Sequence, residues 1–194
     1  YGLPGGYGWV FPKGEHINVG AGIFTPYSKE VKSIENPKLL LKKAIYDYLD
    51  MLEVSYDKEK MHFYGHPLPI WNGKENLQTK DSKIILIGDA AGLINPLFGD
   101  GILHAVKSGI IAGESIINND VKNYTKEIHK EFASNFDNAK RLAPIFCKYV
   151  DSIYGHVVKR PVATRIAAEL LADELSFKDV TDRALKKLST LIPL

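Results

Sequence analysis

The sequence predicts a mixed fold, part α+β and part α/β, on three observations. Residues 7–11 and 16–24 alternate with strand period. Residues 84–92 set a short β-branched run before a glycine-rich loop, and helical apolar spacing starts at Ile102. From Val121 onward the apolar residues recur at helical spacing. Together they give an antiparallel sheet with a covering helix, one strand–loop–helix unit, and a run of C-terminal helices.

In chain order, residues 7–11 (YGWVF) alternate glycine and valine with aromatics, and 16–24 (HINVGAGIF) form a second strand candidate. Pro12, Lys13 and Gly14 suggest the turn of a hairpin. Ile17, Val19, Ala21 and Ile23 fall on one face, Gly20 and Gly22 on the other. Glycine weakens a strand unless something approaches closely there. Here that is a ligand, a packed aromatic ring, or the geometry of a bulge.

Asn36-Pro37 is a helix start, a capping side chain followed by proline at the first helical position. Leu40, Leu41, Ala44, Ile45, Tyr48, Leu49 and Leu52 follow at helical spacing, so this helix covers a sheet. Residues 60–71 are extended, with Pro67 and Pro69 near the end, and 73–82 form a polar loop. Ile84 to Ile87 is the expected strand, buried on both faces of a parallel sheet.

The helix from 102 to 117 carries Ile102, Ala105, Val106, Gly109, Ile110, Gly113, Ile116 and Ile117 on one broad face. Gly109 and Gly113, four apart, predict close packing there. Tyr124, Ile128, Phe132 and Phe136 mark the next helix, which Pro144 is expected to end or kink. Pro161 opens another helix, and Ser176 caps a last one reaching 191.

A net charge of +2 argues for no nucleic-acid partner. Cys147 is the one cysteine, so no intrachain disulfide or multi-cysteine metal site forms within the chain. No apolar run reaches the roughly 20 residues a spanning helix needs. A cytoplasmic location is expected, with peripheral membrane contact left open. The chain starts at Tyr1, directly in strand-like sequence, and is expected to be a piece of a longer protein.

The stretch 83–102 (KIILIGDAAGLINPLFGDGI) organises the rest. A strand, a glycine loop and a helix N-terminus form an arrangement that binds anionic or electron-rich ligands through unsatisfied backbone donors. Glycines and aspartates also serve turns that bind nothing. Gly99-Asp100-Gly101 does not extend to the dinucleotide fingerprint, because His104 stands where its third glycine would be.

Gly88-Asp89-Ala90-Ala91-Gly92, Pro96 and Gly99-Asp100-Gly101-Ile102 resemble the second FAD motif of the flavoprotein hydroxylase-like superfamily, GDAAG-x-x-x-P-x-x-G-x-G-I. Tyr7-Gly8-Trp9-Val10-Phe11-Pro12-Lys13 resembles the Y-x-W-x-F-P-K motif of the geranylgeranyl reductase family, with Asn18-Val19-Gly20 where that family has its VG pair. Gly65 and Leu68-Pro69 resemble its G-x-x-x-P element. The resemblance spans about residues 1–117.

It implies an FAD-dependent enzyme that reduces isolated double bonds of isoprenoid chains, as in archaeal lipids or chlorophyll side chains. The cofactor residues it implies are Gly88, Asp89, Ala90, Pro96, Gly99, Asp100, Gly101 and Ile102. Asp89 would meet the ribityl chain, and 96–102 would line the isoalloxazine. Tyr7, Trp9 and Phe11 would form an aromatic wall between flavin and substrate. Residues 1–72 would belong to a substrate-binding domain, 73–118 to the C-terminal part of an FAD-binding domain, and 119–194 to a helical region.

The glycine-rich fingerprint for the ADP part of FAD, carried by the family's N-terminal half, is absent. The chain is therefore expected to hold half a cofactor site, to bind FAD weakly alone, and to need the missing half as partner. Other enzymes of the superfamily (monooxygenase, halogenase or quinone-linked oxidoreductase) and a non-catalytic apolar-ligand module are the alternatives. No proton donor is assigned. His16, His62, His66 and His104 are candidates by residue type alone, with His66 nearest the Leu68-Pro69 element.

Overall fold

The computed structural model describes residues 3, 5–24 and 35–182. The chain divides into two compact units: Tyr1–His66 with Pro144–Val150, and Pro67–Ala143 with Asp151–Leu194.

In the first unit, strands β1 (Gly6–Lys13) and β2 (His16–Ile23) pair antiparallel. Lys13 pairs with His16, so β1 runs through Pro12 and the turn is Gly14-Glu15, one residue later than the sequence suggests. Gly14 opens it at φ +69°, a conformation glycine adopts without steric cost. The register sets Tyr7 opposite Gly22 and Trp9 opposite Gly20. A Cβ built on Gly20 would fall inside the Trp9 ring. A packed indole therefore accounts for that glycine.

Helix α1 (Pro37–Met51) starts as expected: Asn36 Oδ1 accepts the Leu39 N–H at 3.0 Å, with Pro37 in the first turn. It buries Ala44 and Leu49. The Tyr48 ring lies 3.5 Å from where a Gly8 Cβ would stand, so α1 covers the sheet face opposite Tyr7, Trp9 and Phe11.

In the second unit, α2 (Ile102–Ile117) and residues 124–143 of α3 (Tyr124–Lys148) carry most of the core. Tyr124, Ile128, Phe132 and Phe136 are buried along one face of α3, with Trp71, Leu77, Ala91, Leu93 and Ala112 against them. Trp71 Nε1 donates to Asp137 Oδ1 at 3.0 Å, and its backbone N–H donates to Ile94 O at 3.2 Å. Short helices α4 (Val150–Ile153) and α5 (Pro161–Leu171) follow.

Three expectations are corrected, and a fourth, that Pro144 ends or kinks its helix, loses its first alternative. Residues 84–87 form no strand: Ile85 makes one antiparallel bridge to Gln78, and Ile84, Leu86 and Ile87 are exposed. A doubly buried strand needs a neighbour on each edge, and the described residues supply one bridging residue. Helix α2 buries His104, Ser108, Ala112 and Ser115, while Ile102, Val106, Ile110, Ile116 and Ile117 face outward. Gly109 and Gly113 pack against nothing, since a Cβ at either meets open space. Pro144 lies inside α3 and does not end it. Pro144 and Lys140 are both exposed, so water can take the carbonyl whose helical donor is missing. The Ser176 cap forms, with its Oγ accepting the Asp179 N–H at 3.1 Å and helix over 177–182. The stretch to 191 lies outside the described residues.

Candidate functional site: a glycine loop and an aromatic strand face

The loop of the second unit is assembled by backbone bonds. A single 3₁₀ turn spans Gly88–Ala91, entered at φ +52° on Gly88 and left at φ +66° on Gly92. The Gly88 N–H donates to Ser108 Oγ at 3.0 Å, and a Cβ on Gly88 would collide with Ala105 at 2.8 Å. Glycine is thus required twice at residue 88, by φ and by the approach of α2.

The turn 95–101 closes on itself. The Asn95 N–H donates to Asp100 O and the Gly99 N–H to Asn95 O, both at 2.9 Å. Asn95 Oδ1 accepts the Leu97 and Phe98 N–H groups at 2.9 and 3.2 Å. Pro96 is buried, and Gly99 takes φ +73°.

Gly101 is the N-cap of α2, and among the described residues no side chain caps the helix. A Cβ there would stand 2.5 Å from Ile94 Cδ1 and 3.2 Å from Asp89 Oδ1. The Asp89 carboxylate therefore lies beside the open first turn of a 16-residue helix. Asp89, Ala90 and Ile102 are exposed, Ile102 at 87%. The loop thus brings Gly88, Asp89, Pro96, Gly99, Asp100 and Gly101 to one helix end, with Ala90 and Ile102 open to solvent. Pro69 O lies 3.8 Å from where a Gly92 Cβ would stand, so the Leu68-Pro69 element passes beside the loop.

Asp100 behaves differently from Asp89. Its side chain turns back toward His104, with Oδ2 at 3.7 Å from Nδ1. Burial holds the Asp100 carboxyl above its ordinary value; the charge of Asp173 adds to this, while His104 opposes it. Sequence reasoning treated His104 as a displaced fingerprint position and as a proton-donor candidate by residue type, without pairing it to Asp100. The signal was its spacing, four residues after Asp100. Asn95 and Ser108 also went unremarked, though an asparagine before proline and a serine inside an apolar helix are both open to physical reading.

In the first unit, Tyr7, Trp9 and Phe11 stand on one face of β1. Tyr7 and Trp9 ring centroids are 5.7 Å apart, and Tyr7 stacks on Phe24 at 5.8 Å. Trp9 Nε1 donates to Asn18 Oδ1 at 3.0 Å, which fixes the indole over Gly20. Phe11 is more than half exposed. The face is apolar, pre-set and accessible. His16, His62 and His66 are exposed. Cys147 is partly buried, and burial raises its thiol pKa. No helix among the described residues is long and apolar enough to cross a membrane.

Residues 2–60 match the geranylgeranyl reductase catalytic domain. The chain is 33% identical over 154 residues to digeranylgeranylglycerophospholipid reductase 2 of Methanopyrus kandleri, covering 74% of this chain and 37% of that protein. It is 29% identical over 170 residues to the digeranylgeranylglycerophospholipid reductase of Methanocaldococcus jannaschii, covering 87% of this chain and 38% of the relative. The chain therefore spans well under half the length of these relatives. A crystal structure of a geranylgeranyl bacteriochlorophyll reductase-like protein from Thermoplasma acidophilum matches with a TM-score of 0.60 at 24% identity, covering 98% of this chain and 48% of that one, which shows a shared fold. The aromatic strand lies inside the matched catalytic domain, and the relatives' matches extend past it over most of the sequence: this chain belongs to the geranylgeranyl reductase family.

Proposed function

We propose that this chain is part of an FAD-dependent oxidoreductase that reduces carbon–carbon double bonds of an isoprenoid chain. The carrying observation is the uncapped N-terminus of α2, reached through glycines at 99 and 101, with the Asp89 carboxylate beside it. Once reduced, bound FAD would supply the hydride; the residues of this site would position it.

The residues fit such a group. A flavin gains negative charge on its pyrimidine edge when reduced, and free backbone N–H groups at a helix start favour that charge. Glycine at 101 keeps Ile94 and the Asp89 carboxylate close to the helix start, since a Cβ there would collide with Ile94. Asp89 accepts hydrogen bonds from sugar-alcohol hydroxyls, and Ala90 lets the chain lie flat. Gly88, Pro96, Gly99 and Asp100 hold the backbone in place around them. In the other unit, Tyr7, Trp9 and Phe11 offer an apolar aromatic face suited to a long hydrocarbon substrate.

The same reading accounts for the exposed face of α2. A helix that buries His104, Ser108 and Ser115 while exposing five branched aliphatics is amphipathic in the wrong sense for a lone surface helix. The portion of the family's length outside this sequence is the proposed partner, lying over α2 and beside 84–87. On this reading 1–72 belongs to the substrate-binding domain, 73–118 to the FAD-binding domain, and 119–194 to the helical region.

The test joins the chain to the complementary portion of the Methanopyrus relative. The joined protein is expected to retain flavin through dialysis and, given a chemical reductant, to reduce geranylgeranyl double bonds anaerobically. Asp89→Ala is expected to weaken flavin binding at least about tenfold, the loss of one or more charge-assisted hydrogen bonds. A joined, folded protein without flavin would overturn the reading. Oxygen consumption without alkene reduction would move it to a monooxygenase. The chain alone is expected to bind FAD weakly, so a purified chain with a dialysis-stable flavin spectrum contradicts the half-site.

A further inference from the structure

Beneath the loop, Oδ1 of Asp100 and Nδ1 of His104 are both buried and, among the described residues, without a hydrogen-bond partner. They sit one helical turn apart, and the second carboxylate oxygen is 3.7 Å from Nδ1, inside ion-pair range and beyond a hydrogen bond. The His104 side chain is 7% exposed. Phe136 and Phe132 meet its ring edge-on at 4.7 and 5.7 Å. Apolar walls thus close off other partners on that side. The Asp100 side chain is 28% exposed, so one of its oxygens is buried and the group as a whole is half-buried. Such a carboxylate facing a buried imidazole can share one proton with it, and the pair then titrates as a unit.

We propose that Asp100 and His104 form a proton-sharing positioning pair that couples protonation to the geometry of the loop 95–101. Its bearing on flavin rests on the function proposed above; the pair itself does not. A small rotation of the carboxyl group brings an oxygen onto Nδ1. In the singly protonated pair, the O–H bond breaks as the N–H bond forms, and no electrons leave the pair. Asp100 transmits this state to the loop because its carbonyl holds the Asn95 N–H and it lies between Gly99 and Gly101.

The neighbouring charges bias the pair. Asp173 faces Asp100 with like charge. Lys107, on α2, is held by Asp173 and by Glu131 of α3. The Asp89 carboxylate lies across Gly101. With two protons on the pair, the attraction between carboxylate and imidazolium is lost. With none, the carboxylate faces a neutral ring. The loop 95–101 thus meets three states of the pair, set by its two protons.

The experiment follows the His104 ring nitrogens and the Gly99 and Gly101 amides of the isotope-labelled full chain by NMR across pH. His104 is expected to titrate in two steps, with both glycine amides following the same steps. Asp100→Asn and H104Q are each expected to leave a single step, that of the remaining partner. D173N, which removes an exposed like charge, is expected to move the lower step to more acid pH; it also serves if Asp100→Asn fails to fold. A single His104 step in the native chain, or glycine amides that ignore it, overturns the pair. Flavin retention by the joined protein is scored separately. Two-step titration without flavin binding sinks the flavin reading alone, and flavin binding with one-step titration sinks the pair alone.

Discussion

Trp9 shows how one residue can dictate another across a sheet. The indole lies where a Gly20 side chain would be, and Asn18 holds it there. Gly20→Ala is expected to cost about 1–3 kcal/mol, the range for overpacking a closed contact. Urea denaturation followed by circular dichroism measures it; an unchanged midpoint would mean the ring moves freely. The alternation of glycine with aromatics announced a close approach at this face, but not whether a ring or a ligand made it. Asp100 gives a second residue-scale test. Its folded-state pKa lies above the unfolded value, so its contribution to stability is present below about pH 3.9 and is lost as the pH rises through the raised value. Replacing it by asparagine removes that dependence. Asp100→Asn is therefore expected to gain on the native chain as the pH climbs from acid toward neutral. Unfolding measurements at several pH values check the sign, and the opposite slope would mean that His104 attraction outweighs burial.

At the scale of elements, periodicity was legible and its sense was not. The spacing of Tyr124, Ile128, Phe132 and Phe136 named the buried face of α3 because a single stripe of large residues leaves one choice. Helix α2 carries two stripes, and the larger aliphatics lie on the outward one. Ile110→Glu is accordingly expected to change the chain's own stability by no more than about 0.5 kcal/mol. Phe136→Ala should cost about 3–5 kcal/mol. Similar costs for the two would show that the outward stripe is covered within the chain. The run 84–87 was read as a strand because β-branched residues favour one, yet pairing depends on neighbours that local sequence cannot reveal. What anchors it instead is Tyr124, whose buried hydroxyl donates to Leu86 O at 2.9 Å and whose pKa burial pushes up to about 12. Tyr124→Phe leaves that carbonyl unpaired and is expected to cost about 1–3 kcal/mol in thermal or urea unfolding.

For the whole molecule, the glycine motif and the aromatic strand were legible because each residue type has a local chemical reason to stand where it does. The division into units was not, since residues 144–150 join the N-terminal unit from far along the chain. Association belongs to this scale. The complementary portion of a relative, added in trans, is expected to bind the native chain in gel filtration and to fail with Ile110→Glu, which places a charge on the outward stripe of α2. Equal binding by both proteins would locate the contact elsewhere.

The two tryptophans are divided between the units: Trp9 leans on a strand glycine at the surface of one, and Trp71 is buried in the other with its indole N–H tied to Asp137. Each half of the chain thus carries its own optical probe. With Trp9 or Trp71 changed to phenylalanine in turn, emission colour would report the melting of one body without interference from the other.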